Sequence, residues 1–330
     1  MNYKGSPKIL NKIKGSRKIL VNCHRSPDAD SVGSALAISA ILEELGKEVK
    51  IICPTEIGED LKFLPFSEKI EKVDFKKFDF SNYDLFLILD TAGMNMLTGT
   101  EEAFELKIPA ITIDHHKTNT KFADLNLTDP DISSTSELLY GLFEDWGVPI
   151  GKNTATCLFA GIVNDTGSFR YGNITSNTFS IAAKILDQGA EREIVLKSLF
   201  YSFDYKTIKL VGELINRSEV DENYKFIYSF LSFEDFNKFG RGKNARDLAV
   251  DFLVQTNDIL FAMVMVEKEK RILSISLRSQ GDFDVSKIAL RYNGGGHRGA
   301  SGGRIIGLKF DEAVTKALEI ARKVSYENKS

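Results

Sequence analysis

Four histidines occur in the 330 residues, and each stands beside acids or glycines: His24, His115, His116 and His297. The first opens the segment His24-Arg-Ser-Pro-Asp28-Ala-Asp30, which sets an imidazole and two carboxylates within seven residues. A helix N-cap needs one oxygen, so this segment offers more than a cap consumes. Asp90 follows directly on the apolar run 85 to 89, and Asp114-His115-His116 follows the apolar run 110 to 113. Two adjacent imidazoles behind a carboxylate are poor packing material, because each ring needs partners for both nitrogens. Asp165 ends a helical apolar pattern in Gly161-Ile-Val-Asn-Asp165-Thr-Gly-Ser. Together His24, Asp28, Asp30, Asp90, His115 and Asp165 supply four carboxylates and two imidazoles, the donor set of a two-metal centre. Oxygen ligands alone would suit magnesium; two nitrogen donors move the preference toward manganese, with magnesium, cobalt or zinc as substitutes. A metal pair bridged by a carboxylate activates water for in-line attack on phosphorus, so phosphoester hydrolysis is the expected chemistry.

The elements that must position these groups are legible as alternating periods. Strand-like runs at 18 to 23, 49 to 53, 85 to 89 and 110 to 113 alternate with helical patterns at 31 to 45, 134 to 146, 154 to 163 and 177 to 188, the last followed by Gly189 in a C-cap position. Such alternation predicts a parallel sheet, whose strand ends converge on one edge where ligands bind. The metal-binding catalytic domain is expected over 1–190 and a helical connector over 191–218. A substrate-binding domain is expected over 219–330, with strand-like 224 to 231, helical 244 to 255, a hairpin of 259 to 267 and 271 to 277 turning at 268 to 270, a helix from Asp284, a glycine-rich loop and a last helix at 311 to 324. The fold class is therefore α/β: a parallel-sheet domain with helices on both faces, plus a second, smaller α/β domain.

Composition narrows the function classes. With 43% hydrophobic and 27% charged residues and a net charge of −3, the chain is globular and carries no global field for long duplex nucleic acid. No apolar run approaches the roughly 18 to 20 residues of a membrane span, so no membrane partner is expected. Cys23, Cys53 and Cys157 form no Cys-x-x-Cys pair, which suits a reducing cytoplasm and offers no thiolate metal site. The glycine fingerprint of dinucleotide-dependent oxidoreductases is absent after the first strand.

Positive charge gathers in the C-terminal part. Between Arg271 and Arg304 there are six basic residues against two acidic ones, and six glycines fall among residues 294 to 303. Glycines let backbone N–H groups approach an anion, and Arg278-Ser279 adds a planar fork beside a hydroxyl. Arg278, Ser279, Gly295, Gly296 and His297 are thus expected to bind the substrate.

The combination of His24-x-x-x-Asp28-x-Asp30, Asp90, Asp114-His-His116, Asp165-Thr-Gly and Gly294-Gly-Gly-His297-Arg-Gly-Ala300-Ser-Gly302 resembles the DHH phosphoesterases with a DHH-associated C-terminal domain. That family includes RecJ-type exonucleases, family II pyrophosphatases, exopolyphosphatases and nanoRNA hydrolases. The resemblance implies that His24, Asp28 and Asp90 hold one metal and Asp30, Asp90, His115 and Asp165 the other, with Asp90 bridging. It implies that His116 meets the substrate as acid or electrostatic stabiliser and that Asp114 orients a ligand imidazole. Arg278-Ser279 is similar to the nanoRNA-hydrolase branch, which makes short RNA or DNA oligonucleotides and small nucleotides, 3'-phosphoadenosine 5'-phosphate among them, the expected substrates. Cyclic or linear dinucleotides are the nearest alternative; pyrophosphate, polyphosphate and a non-catalytic nucleotide sensor rank lower. A homodimer is left open.

Overall fold

The structure, a computed structural model, describes residues 3–170, 173–201, 203–242, 244–292, 294–296 and 298–327. It divides into two compact units, Met1–Ser202 and Phe203–Ser330. Among the described residues no helix is long and apolar enough to cross a membrane.

The first unit runs α1 (Ser6–Gly15), β1 (Lys18–Asn22), α2 (Ala29–Glu44), β2 (Glu48–Cys53), β3 (Ile70–Lys72), β4 (Leu85–Leu89), α3 (Met94–Thr98), β5 (Ala110–Asp114), β6 (Leu125–Thr128), α4 (Thr135–Trp146), α5 (Lys152–Asp165), α6 (Ser176–Asp187) and α7 (Arg192–Phe200). Its six strands are parallel in the order β3-β2-β1-β4-β5-β6. β4 and β5 are buried along their whole length; β4 is the continuous apolar run expected in the middle of a parallel sheet, and β5 buries Thr112 and Asp114 among its apolar residues. The edge strands β3 and β6 are only partly buried and short, so their polar sequences carry no strand signal. One face of the sheet is covered by α1, α2, α4, α5, α6 and α7. The helical cover of the other face is the five-residue α3; loops supply the rest, with Phe75, Phe80, Phe86 and Phe104 packed at ring separations of 5.7 to 6.0 Å. Packing of α2 on α5 depends on Gly33, where a Cβ would lie 2.4 Å from the Cys157 carbonyl oxygen.

The second unit runs α8 (Tyr205–Asn216), β7 (Glu219–Asp221), β8 (Phe226–Leu231), α9 (Phe233–Lys238), α10 (Ala245–Leu253), β9 (Phe261–Glu269), β10 (Ile272–Ser279), α11 (Ser286–Leu290), β11 (Gly295–Gly296), β12 (Ala300–Ile306) and α12 (Phe310–Glu327). The sheet order is β11-β12-β10-β9-β8-β7, with β8 and β9 parallel and the remaining pairs antiparallel. The helical stretch expected over 191–218 is two helices, α7 in the first unit and α8 in the second. The glycine-rich segment, expected as a loop, is largely strand. Its glycines serve backbone approach within the sheet: a Cβ on Gly294 would lie 2.0 Å from the Gly302 carbonyl oxygen, and one on Gly302 2.9 Å from that of Ile275.

Candidate metal centre

β1 ends two residues before His24, and Asp28 then caps α2, its Oδ1 accepting from the N–H groups of Asp30 and Ser31 at 3.0 Å. Asp30, fully buried in the first turn, accepts from the Thr135 and Ser136 N–H groups at 2.7 and 2.9 Å, so its carboxylate is held by the start of α4. Asp90 follows β4 in the left-handed region at φ 50° and accepts from Thr135 Oγ1 at 3.1 Å. Asp165 is the last residue of α5.

These strand and helix ends bring the donors together. His24 Nε2 lies 3.4 Å from Asp90 Oδ2 and 3.9 Å from Asp28 Oδ1, while its Nδ1 donates to the Arg25 carbonyl at 3.0 Å. A carbonyl can only accept, so this bond fixes a proton on Nδ1 and turns Nε2 toward the carboxylates. His115 Nε2 lies 3.1 Å from Asp165 Oδ2 and 3.6 Å from Asp90 Oδ1. Three groups present ligand atoms all within 4.8 Å of one another: His24, Asp28 and Asp90; Asp30, His115 and Asp165; Asp90, His115 and His116. Asp90 belongs to two of them.

Asp114 was expected to orient a ligand imidazole; the imidazole it bonds is that of His116, Nδ1 to Oδ1 at 2.7 Å. The turn after β5 brings the N–H groups of His115 and His116 to the same oxygen at 2.9 and 3.3 Å, and Asn119 Nδ2 donates to Oδ2 at 2.6 Å. Thr135, Ser136 and Asn119 are the functional neighbours that sequence reasoning missed. Ser-Ser-Thr-Ser at 133 to 136 reads locally only as a helix start. Gly161 belongs with them: its Cβ would lie 2.0 Å from Ser136 Oγ and 2.4 Å from Asp30 Oδ1, so only glycine lets α5 pass the buried acid.

The donor set fits a bound cation. Burial and the charge of Asp165 push Asp28 up to about 6, and the same two causes raise Asp30 well above the carboxylate range. Asp90 is also buried, but the hydrogen bond from His24 and the charges of His116, His24 and His115 outweigh burial and hold it below that range. Four clustered carboxylates, of which Asp30 and Asp90 are buried, repel one another, and a divalent cation among them removes the repulsion.

The imidazoles show the reciprocal effect. Burial acts to lower His24, yet its bond to Asp90 and the charges of Asp28 and Asp90 push it up to about 9; burial acts to lower His115, yet Asp165 above all pushes it up to about 10. In the metal-free protein both rings therefore hold a proton at pH 7, and a metal must displace it. Metal affinity is expected to rise with pH up to about 9 to 10 and to fall below that range, with protons released on binding. Titration calorimetry in buffers of different ionisation heat reads the proton count, and uptake without proton release would contradict these ligands.

In the second unit Arg278 Nε pairs with Asp251 Oδ1 at 2.7 Å, and its guanidinium also donates to the Leu277 carbonyl at 3.0 Å. Ser279 donates its Oγ to the Arg298 carbonyl at 3.2 Å and its N–H to that of Gly299 at 3.0 Å. Gly295 and Gly296 are exposed in β11, and Gly296 has φ 135°. His297 lies outside the described residues.

Comparison with known proteins adds to this geometry. Residues 18–162 match the DHH family N-terminal domain and residues 223–324 match the DHHA1 domain. The chain belongs to the DHH family. The DHH-domain match holds every proposed donor except Asp165, which lies three residues beyond it at the end of α5. Among curated relatives, the chain is 28% identical over 323 residues to the bifunctional oligoribonuclease and PAP phosphatase NrnA of Thermus thermophilus, covering 96% of this chain and 92% of that one. It is 27% identical to the cyclic-di-AMP phosphodiesterase GdpP of Bacillus subtilis, over 92% of this chain and 47% of that one. The crystal structure of an exopolyphosphatase-related protein from Bacteroides fragilis superposes with a TM-score of 0.88 at 26% identity, covering 98% of this chain and 97% of the other.

Proposed function

We propose that this DHH protein is a cytoplasmic phosphodiesterase and phosphatase that uses two manganese ions to hydrolyse short oligoribonucleotides and 3'-phosphoadenosine 5'-phosphate. The observation that carries the reading is the clustering of three donor groups, two of which share Asp90 and two His115, in a chain similar end to end to an oligoribonuclease and PAP phosphatase. His24, Asp28 and Asp90 hold one metal and Asp30, Asp90, His115 and Asp165 the other. Four oxygens and two nitrogens favour manganese over magnesium. A metal pair held there would supply an activated water and charge neutralisation for the phosphoryl group.

The protein's own groups do the rest. Thr135 and the start of α4 fix the Asp90 and Asp30 carboxylates, so the donors are in place before substrate arrives. Asp114 fixes the His116 ring, which gives a proton to the leaving oxygen or steadies its charge. Arg278, Ser279, Gly295, Gly296 and His297 bind the nucleotide part of the substrate, short RNA or DNA. The cyclic-di-AMP phosphodiesterase relative favours cyclic or linear dinucleotides as the second reading.

A ladder of RNA from two to ten nucleotides, assayed beside 3'-phosphoadenosine 5'-phosphate and a cyclic dinucleotide, tests the reading. Hydrolysis is expected to be fastest for two to roughly five nucleotides, where binding energy away from the cut still contributes. On a dinucleotide, Arg278→Ala should cost about 1.5 to 3 kcal/mol, the range for a hydrogen bond to a charged group, while bis(p-nitrophenyl) phosphate should be little affected. A preference for the cyclic dinucleotide would move the assignment to the second reading.

A further inference from the structure

The second sheet is buried unequally on its two faces. On one, Phe226, Phe261, Leu273, Ile275 and Leu277 lie in a core with α11 and α12. On the other, α10 covers β8 and β9 through Ala249, Val250, Val264 and Val266, whereas β12 brings a half-buried Gly302 and an exposed Arg304 opposite Ser276 and Ser274 of β10. Arg246 of α10, Lys268 at the register shift between β9 and β10, Arg278 and Arg304 gather around this open stretch.

Two carboxylates are built in. Asp247 accepts from Ser276 and pairs with Arg246 at 3.2 Å, and Asp251 pairs with Arg278 at 2.7 Å. Among the described residues Lys268 and Arg304 have no ion-pair partner, and Arg246 Nε is buried without a hydrogen-bond acceptor. Burial lowers the Lys268 pKa, and the charges of Arg246 and Arg304 lower it further against the pull of Asp247. Cations crowded and partly desolvated in this way are destabilised unless an anion joins them.

We propose that the strand face bounded by Arg246, Lys268 and Arg304 binds a phosphate group. The guanidinium groups offer planar forks, Lys268 a point charge, and Ser274 and Ser276 lie between them on β10. Gly302, without a side chain, keeps the face open beside Ser276. Arg304 is four residues along β12 from Ala300, the partner of Arg278, so the two arginines stand about 13 Å apart along the sheet. A single phosphate does not span that distance; a nucleotide chain does. The ligand is therefore free phosphate or a phosphate of a nucleotide chain whose other end lies at Arg278, and the site requires neither metal nor turnover.

The test uses the full chain with metals chelated. Binding of inorganic phosphate and of a fluorescent five-nucleotide RNA is measured in the wild type, in Lys268→Ala/Arg304→Ala and in the charge-preserving Lys268→Arg/Arg304→Lys. RNA binding is expected to weaken about tenfold or more in the alanine variant, to stay near wild type in the charge-preserving one, and to fall with added salt. A parallel loss of inorganic phosphate binding assigns the site to free phosphate as well; a loss confined to RNA assigns it to the chain. Unchanged RNA binding in the alanine variant, or equal losses in both variants, would overturn the proposal. Failure to hydrolyse any phosphoester would count against the proposed hydrolase alone.

Discussion

Asp90→Asn is expected to lower turnover by at least ~100-fold, the scale seen when a pre-positioned electrostatic contact to a reacting phosphoryl or acyl group is lost. Asp90 is the carboxylate common to the His24-Asp28 group and the His115-His116 group, and it is the acid that the three imidazoles hold in its charged form. Replacing one oxygen by an amide removes the charge common to both donor groups, so metal content should fall together with turnover. Asparagine is the informative substitution because it tolerates the left-handed backbone at φ 50°, where alanine would add strain. Metal analysis and turnover on bis(p-nitrophenyl) phosphate, measured on folded variant, decide the matter. Wild-type rates at full metal occupancy would remove the shared-ligand role.

The adjacent histidines should separate cleanly. His115 approaches Asp165 at 3.1 Å and Asp90 at 3.6 Å with Nε2, whereas His116 spends Nδ1 on Asp114 at 2.7 Å. His115→Ala is therefore expected to lose metal, and His116→Ala to keep metal while losing about 10²- to 10⁴-fold in turnover, the range for a positioned general acid or base. His116 also lies 3.6 Å from Asp90 Oδ1 and shares a donor group with it, so metal content is the measurement that discriminates. Loss of metal in the His116 variant alone would exchange the two roles.

The legible part of the site is the part carried by local signals. Asp90 follows the continuous apolar run of β4 and the Asp114-His115-His116 triplet begins on the last residue of β5, both strands being buried on both faces, so period and residue type locate them. His24, Asp28 and Asp30 sit between a strand and a helix start, and Asp165 ends a helix; all four are readable in the same way. In the second unit the same reading mistook a strand for a loop, since glycines selected for close backbone approach look like glycines selected for flexibility.

What the sequence determined by itself, then, is the α/β alternation and the inventory of donors at strand and helix ends, because both follow from side-chain type and short-range periodicity. The tertiary structure alone decided the pairings. Asp30 is held by backbone groups more than a hundred residues away, Asp114 turns back to the second imidazole rather than the first, and Gly161 is small because Asp30 and Ser136 crowd it. Each depends on where α4, α5 and the turn after β5 meet in space, and a contact between distant segments leaves no periodic trace in either of them.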